Sequence, residues 1–250
     1  MPSTLKKLKQ DAIVEGLCEL RFESEESRTL PELILGKVAQ FDIWKGFQKI
    51  RLPFADVPAE LRAQDPNLKN QPTLELRDPN GHRLAKIGSN VFSYHRMEPY
   101  PGWENFKPEI DDATRHLFGA LENLVISRIG FRYINVFNDA KHGVSSTNDL
   151  NYTVKLAGNE LTIDQNINYR VKCSDEHMAL VRIASQGFVS GPFRGDIGAL
   201  LDIDVYTPDD WKTSSLEETL GWIETAHDFE KQEFEKLLTP ELIKRLVETE

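Results

Sequence analysis

The chain of 250 residues is 40% hydrophobic and 28% charged, a composition typical of a soluble globular protein with its own core. Its net charge of −10 argues against general nucleic-acid binding, which usually requires a basic surface. The N-terminus lacks the apolar core of a secretory signal, and no apolar run approaches the ~20 residues that span a bilayer. We therefore expect a cytoplasmic protein without membrane segments.

The N-terminal part is predicted to hold a strand followed by a helix. Residues 12–22 alternate apolar and polar side chains, which is typical of a half-buried strand. Residues 29–41 carry apolar side chains at helical spacing, with Thr29 as a candidate N-cap and Pro31 near the first helical position.

A meander and a long helix are predicted next. Residues 73–78 and 82–88 flank a Pro-Asn-Gly turn and predict a hairpin, because Gly81 can adopt a positive φ. Residues 90–96 extend this hairpin, and apolar side chains at helical spacing over 103–121 predict a helix with one apolar face.

Strands dominate the C-terminal half. Residues 138–150 are polar and are predicted to be a linker or a long loop. The predicted strands after this segment are 151–157, 161–173, 178–187 and 198–206. The chain ends in helices, the last of which has Thr239 as a candidate N-cap.

This order of elements predicts an α+β fold with a largely antiparallel sheet of two meanders, packed helices and a C-terminal helical segment. The predicted halves are an N-terminal α+β half at 1–137 and a C-terminal meander with helices at 151–250, joined by 138–150. One continuous domain is the alternative.

Two arginines lie inside the most strand-like segment of the chain, SRIGFRYINVF at 127–137. Arg128 and Arg132 share one face, with Cα atoms about 13 Å apart, too far for both to hold one small anion comfortably. The favoured interpretation is that each pairs with a carboxylate on a neighbouring strand, because a partly buried charge needs a partner. The candidate carboxylates are Glu15, Glu19, Glu75, Asp202 and Asp204. The alternative is an anionic ligand or a partner lying along the sheet at Arg128, Arg132, Tyr133 and Asn135.

The stretch VFSYHRMEPYPGW at 91–103 is dense in aromatic residues. Tyr94, His95, Tyr100 and Trp103 would suit a recognition pocket, because aromatic side chains with a polar atom favour interfaces. The favoured interpretation is internal packing, in which the aromatic side chains close the start of the helix against the sheet.

The sequence gives little indication of a catalytic or metal-binding site. The chain has no Gly-x-Ser-x-Gly elbow, no phosphate loop and no histidine pair at zinc-ligand spacing. Asp202 and Asp204 share a strand face just after Asp196 and are the candidate magnesium ligands, although alternate aspartates are more often a solvated face. Cys18 and Cys173 occupy strand positions and are predicted to be buried free thiols.

Three stretches together resemble a known bacterial family: AIVEGLCELRFE at 12–23, YPGWENFKPEI at 100–110 and RIGFRYINVF at 128–137. The family is sporadically distributed and consists of uncharacterised proteins of about this length. Its members share a Tyr-Pro-x-aromatic turn and an Arg-x-x-x-Arg-Tyr-Ile-Asn strand. The resemblance implies a defence-associated or toxin–antitoxin type of gene neighbourhood, and it transfers no activity and no catalytic residue.

We therefore expect a non-enzymatic binding or regulatory protein that self-associates, engages a protein partner and needs no cofactor. The alternative is a divalent-metal phosphohydrolase or nucleotide-binding enzyme, in which the arginines grip phosphate and the aspartate pair holds Mg²⁺. A third interpretation, based on meanders followed by long helices, is a SecB-like chaperone.

Overall fold

The structure, a computed structural model, describes residue 8 and residues 11–161, 166–186 and 197–247. Part of the strand predicted at 161–173, most of the Gly-rich loop after residue 186, and Asp196 lie outside these residues. The fold is α+β with a large antiparallel sheet and packed helices, as the sequence predicts. No helix formed by the described residues is both long enough and apolar enough to cross a membrane.

Most strands belong to one sheet. The strands are β1 Ile13–Glu23, β2 Gln48–Arg51, β3 Leu74–Arg77, β4 Arg83–Ile87, β5 Val91–Met97, β6 Val125–Phe137, β7 Lys155–Leu156, β8 Asn159–Glu160, β9 Asn166–Lys172, β10 Met178–Ala184 and β11 Ala199–Tyr206. Over the described residues, the sheet has the order β2-β3-β4-β5-β1-β6-β11-β10-β9, and β7 pairs with β8 separately. The predicted hairpin is β3–β4, where Gly81 has a φ of 76°.

The helices differ from the prediction mainly at the N-terminus. They are α1 Glu25–Thr29, α2 Pro31–Val38, α3 Ala59–Gln64, α4 Trp103–Ala120, α5 Asp139–His142, α6 Leu216–Lys236 and α7 Pro240–Leu246. Thr29 is the last residue of α1 and does not cap α2, whose N-cap position is Leu30 and has no side-chain cap. Ser24 caps α1 and forms a capping box with Ser27. Thr239 caps α7 as predicted, accepting a hydrogen bond from the amide of Leu242.

The polar segment 138–150 is packed. It forms α5 and a short 3₁₀ turn, and the side chains of His142, Val144 and Leu150 are buried. The strand predicted at 151–157 is reduced to the two residues of β7.

The chain divides into two compact units, each assembled from separate stretches. The first unit comprises the described residues of Met1–Glu15, Arg132–Val205 and Thr225–Glu250. The second unit comprises Gly16–Phe131 and Tyr206–Glu224. These units do not coincide with the predicted halves 1–137 and 151–250.

In the second unit, α4 covers one face of the sheet. Its apolar side chains recur at helical spacing, so Phe106, Ile110 and Leu117 are all buried. Phe106 contacts the rings of Tyr94 on β5 and Phe131 on β6. The apolar face of the sheet is therefore the face toward α4.

In the first unit, the C-terminal part of α6 packs on β6. The rings of Tyr133 and His227 lie 6.3 Å apart, and Phe137 stacks on Phe234 at 6.2 Å. The alternation along β11 buries Leu201, Ile203 and Val205 completely, and it places Asp202 and Asp204 on the opposite face.

We predict that Gly198→Ala destabilises the protein by about 1–3 kcal/mol. Gly198 lies just before β11, and a Cβ at this position would overlap the backbone carbonyl of Val144. Gly36→Ala is the matched control, because a Cβ there meets no atom within 4 Å. This control should stabilise α2 by up to about 1 kcal/mol. Urea unfolding measures both changes, and equal effects of the two substitutions would contradict the close packing at Gly198.

Candidate functional site

Arg132 forms a bidentate ion pair within the first unit. Its Nε and Nη2 donate to Oδ1 and Oδ2 of Asp202, both at 2.6 Å. The Asp202 side chain is 10% exposed and that of Arg132 is 37% exposed. Burial disfavours the charge on Arg132, but the hydrogen bonds and charge of Asp202, with Asp204 and Glu15, raise its pKa overall. The guanidinium is therefore neutralised by the strand beside it.

Arg128 is paired within the second unit. Its Nη1 lies 3.1 Å from Oε1 of Glu19, an atom that also accepts from Nε of Arg21 at 2.9 Å. The Arg128 guanidinium also lies over the ring of Tyr206, 5.3 Å from its centroid. The prediction that carboxylates on neighbouring strands pair with both arginines is confirmed. Each arginine has its own carboxylate, and the two do not converge on one ligand.

Tyr133 and Asn135, the other candidate residues of β6, are buried. They are 3% and 2% exposed, respectively. Nδ2 of Asn135 donates to the carbonyl oxygen of Leu201 at 3.3 Å, so its amide links β6 to β11. Neither side chain is at the surface, where a partner could reach it.

The aromatic residues on β5 and in the segment that follows it pack inside the second unit. Tyr94, Tyr100 and Trp103 surround Phe106, with ring centroids 6.1, 5.8 and 6.3 Å away. Burial, with the nearby carboxylate of Glu109, raises the pKa of the Tyr94 hydroxyl. These contacts confirm the favoured interpretation, in which the aromatic residues close the start of α4 against the sheet.

His95 hydrogen-bonds to a serine on the same strand. Its Nε2 lies 2.8 Å from Oγ of Ser93, and each residue is 5% exposed. A serine beside a histidine is the core of a nucleophile–base pair, but a substrate must also reach the hydroxyl. Our sequence reasoning missed this pair, although the Ser-x-His spacing on a strand places both side chains on one face. The burial indicates a structural bond.

The aspartates proposed as magnesium ligands face Arg132. Both oxygens of Asp202 accept hydrogen bonds from this arginine, and Asp204 contributes to the field that holds its charge. In the ranges 11–161, 166–186 and 197–247, no group of three or more His, Cys, Asp or Glu side chains is arranged to hold a metal ion. Cys18 is buried and Cys173 is half-buried, and neither forms a disulfide bond.

An open groove lies between two helices of the second unit, and we call it the α2–α3 groove. Its volume is about 510 Å³. Its lining consists of Glu32, Leu35, Arg51, residues 55–59, Arg62, Thr73 and Leu74. These side chains come from α2, the end of β2, the turn after β2, α3 and the start of β3.

The floor of the groove is apolar and includes a buried hydroxyl. Leu35, Val57, Pro58 and Leu74 supply apolar surface. Thr73 is only 4% exposed, and its Oγ1 has no hydrogen-bond partner among the described residues. A buried hydroxyl without a partner costs free energy, and the burial of Thr73 keeps this hydroxyl out of reach of a bound group.

Two arginines of the groove are oriented by the turn after β2. Arg51 donates from Nη2 to the Ala55 carbonyl oxygen at 2.9 Å and to Oδ1 of Asp56 at 2.7 Å. Arg62 donates from Nε to the Val57 carbonyl oxygen at 3.1 Å. With Glu32 and Asp56, the groove presents charges of both signs around an apolar floor.

Three exposed leucines lie on or next to the two helices that contribute to the groove. Leu30 just before α2 is 54% exposed, Leu33 on α2 is 42% exposed and Leu61 on α3 is 56% exposed. Sequence reasoning assigned Leu30 and Leu33 to the buried stripe of the predicted helix and missed this surface. The available signal was the run Leu33-Ile34-Leu35, because three consecutive apolar residues of a helix cannot all face one core.

Comparison with known proteins does not assign the chain. No family model and no curated protein matches it. Among solved structures, the substrate-free duplicated taurocyamine kinase from Schistosoma mansoni has 12% sequence identity and a TM-score of 0.34. The match covers 90% of this chain and 34% of the kinase, so the chain spans about a third of that protein's length. Similarity at this level transfers neither the fold nor the activity of the kinase.

Glu230 on α6 is a buried carboxyl of the first unit. It is 3% exposed, and its Oε1 has no hydrogen-bond partner among the described residues. Burial, and then the negative charge of Asp11, raise its pKa well above the usual value, while Lys231 opposes this shift. A carboxyl that stays protonated could serve as a general acid, but its burial leaves no access for a substrate.

We predict that Glu230→Gln stabilises the protein relative to the wild type, increasingly so as the pH rises above about 4.5. Below this pH the carboxyl is protonated in both states. Above it the unfolded state ionises while the folded state stays protonated, so the wild type loses stability until the folded pKa is passed. The difference should grow by about 1.4 kcal/mol per pH unit within this window.

Urea unfolding at acidic and neutral pH measures this difference. Glu241→Gln removes an exposed carboxylate of α7 and controls for the lost charge. A stability difference for Glu230→Gln that is the same at both pH values would contradict the raised pKa.

Proposed function

We propose that the chain is a non-enzymatic binding or regulatory protein that engages a protein partner through the α2–α3 groove. The observation that carries this proposal is the combination of the groove with exposed leucines on the two helices that line it. Exposed apolar side chains beside a concave surface are typical of sites that bind other macromolecules. A small ligand would fill the groove and leave Leu33 and Leu61 in water.

The lining indicates the chemistry of the partner. The apolar part of the lining suits a large aliphatic or aromatic side chain. Hydrogen bonds to the turn after β2 hold both Arg51 and Arg62, and Arg51 also pairs with Asp56. Acidic groups on the partner would therefore meet preorganised cations. We infer a partner segment with one apolar anchor residue flanked by acidic residues.

The alternatives have weaker support. A magnesium-dependent phosphohydrolase or nucleotide-binding enzyme would need Arg128 and Arg132 to leave Glu19 and Asp202 in order to grip phosphate. Breaking the Arg132–Asp202 pair would remove both hydrogen bonds that this arginine donates to a carboxylate that is only 10% exposed, which costs free energy. For a SecB-like chaperone, the exposed large apolar side chains of the described residues are five leucines, whereas unfolded clients need extended apolar area.

The proposal extends to the cellular setting. A cytoplasmic, self-associating protein encoded in a bacterial defence or toxin–antitoxin type of locus would meet its partner as the product of a neighbouring gene. The resemblance of the three sequence stretches to the sporadic bacterial family supports this setting.

We predict that Leu33→Lys combined with Leu61→Lys abolishes binding of the partner. In affinity capture from a lysate of the source organism, the wild type should retain a neighbouring gene product, and the double variant should lose it by about tenfold or more. Fold stability should be unchanged because both leucines are exposed in the wild type.

Leu156→Lys is the matched control, because Leu156 is 67% exposed and lies on β7, whereas Leu33 and Leu61 lie on the two helices that contribute to the groove. This variant should retain the partner as the wild type does. Equal retention by the double variant would overturn the groove as the binding surface. Nucleotide turnover that requires Mg²⁺ and is lost on Arg132→Met would favour the enzyme.

A further inference from the structure

We propose that two copies of the chain associate through β9, the end strand of the sheet formed by the described residues, and that the two β9 strands pair antiparallel about a two-fold axis at Tyr169. The inference rests on the self-association included in the proposed function and gives it a surface. That surface lies in the first unit and uses no residue of the α2–α3 groove.

β9 is a regular strand at the end of the sheet. All of its residues, Asn166 to Lys172, pair with β10 in an unbroken antiparallel register, and β10 is its one strand neighbour among the described residues. Proteins usually block such an edge with a proline, a bulge or a very short strand. β9 has seven residues with no proline and no bulge, so its backbone is suited to pairing with another strand.

The side chains of β9 are compatible with pairing to a second copy of the same strand. In an antiparallel pair centred on Tyr169, Ile167 lies opposite Val171, Asn168 opposite Arg170 and Asn166 opposite Lys172. Apolar residues then meet apolar residues, and each cation meets an asparagine. Opposite residues in antiparallel strands contact each other directly, so this match favours the pairing.

Neighbouring registers are less favourable. Centring the pair on Arg170 places two copies of Arg170 opposite each other. Centring it on Val171 places Arg170 opposite Lys172. Like charges that face each other across a strand pair are destabilising, so the cations of β9 disfavour these two registers. Centring the pair on Asn168 avoids like charges but pairs only five residues of β9, whereas the register at Tyr169 pairs all seven.

Burial along β9 supports the same pairing. Its exposed residues are polar, whereas Ile167, Tyr169 and Val171 are half-buried in the single chain. A second β9 would cover the remaining exposed part of these apolar side chains. Burying this surface stabilises association in addition to the backbone hydrogen bonds.

Disulfide trapping tests the two-fold axis directly. In a Cys173→Ser background, Tyr169→Cys places two thiols opposite each other, with Cα atoms about 4.5–5.5 Å apart, within disulfide range. Mild oxidation of the folded protein should convert most of it to a covalent dimer. Asn166→Cys is the control, because its two copies would lie about 20 Å apart and should not cross-link. Equal cross-linking at both positions, or none at 169, would overturn the register.

Charge substitutions provide a second test that needs no cross-link. Asn168→Asp faces Arg170 of the second copy and should lower the dimer dissociation constant by about threefold, and Asn168→Arg should raise it by a similar factor. Sedimentation equilibrium measures these constants. The same substitutions at Gln48 on β2, at the other end of the sheet, should change nothing. Indifference to both Asn168 variants, or a wild type that is monomeric throughout, would overturn the proposal.

The two proposals can fail separately. The Leu33→Lys and Leu61→Lys variant should still form the β9 dimer, even though it loses the partner. If this variant abolishes dimerisation and the Asn168 variants do not, the self-association surface is the groove and the β9 proposal is wrong. If the Asn168 variants change the dimer dissociation constant as predicted and no partner is captured, the groove proposal fails and the β9 proposal stands.

Discussion

The bidentate ion pair between Arg132 and Asp202 is the constraint on which the functional interpretation depends. A strand that carries permanent cations is either a ligand site or a scaffold, and the distinction lies in what neutralises them. Both oxygens of Asp202 meet the guanidinium at 2.6 Å, and the pair is partly shielded from solvent. Oε1 of Glu19 lies 3.1 Å from Nη1 of Arg128 and neutralises this second arginine. Because the strands satisfy their own charges, a ligand would have to replace a preorganised carboxylate in order to bind, and the polar face of β6 serves as scaffold.

Packing removes most of the other candidate residues from the surface. The aromatic residues around Phe106 bury apolar area where α4 meets the sheet, and Tyr133 does so against His227. The amide of Asn135 hydrogen-bonds to the carbonyl oxygen of Leu201, and the imidazole of His95 hydrogen-bonds to the hydroxyl of Ser93. The surfaces that remain open are of another kind. Within the part of the chain that the structure describes, one is a groove lined largely by apolar side chains, and the other is the regular edge of β9. Both are suited to contact with another polypeptide.

Local patterns predicted the parts of the structure that local physics determines. The alternation along β1, β6 and β11 showed which side chains face the core, and it placed the arginines opposite acidic residues. The helix cap at Thr239 and the hairpin turn at Gly81 could be predicted because helix caps and tight turns need particular residue types. The start of α2 was not predicted correctly, because a separate short helix, α1, precedes it. The polar sequence of α1 gives no apolar periodicity from which this helix could be predicted. The α2–α3 groove could not be predicted, because its lining comes from stretches up to 42 residues apart that only tertiary folding brings together. Glu230 lies on α6, whose sequence has the apolar periodicity of an amphipathic helix. This periodicity does not show that the carboxyl of Glu230 is buried and that its Oε1 has no hydrogen-bond partner among the described residues.

A double-mutant cycle on Arg132 and Asp202 tests the central claim most directly. The unfolding free energies of Arg132→Met, Asp202→Asn and the combined variant, compared with the wild type, isolate the coupling between the two side chains. If the arginine is neutralised from within, the coupling should be about 1.5–3 kcal/mol, as for hydrogen bonds between charged groups. The exposed pair Arg51–Asp56, at 69% and 78% exposure, should give less than about 1 kcal/mol in the same experiment. A coupling near zero at Arg132, with no loss of stability in either single variant, would contradict the account and return the arginine to the role of a ligand-binding residue.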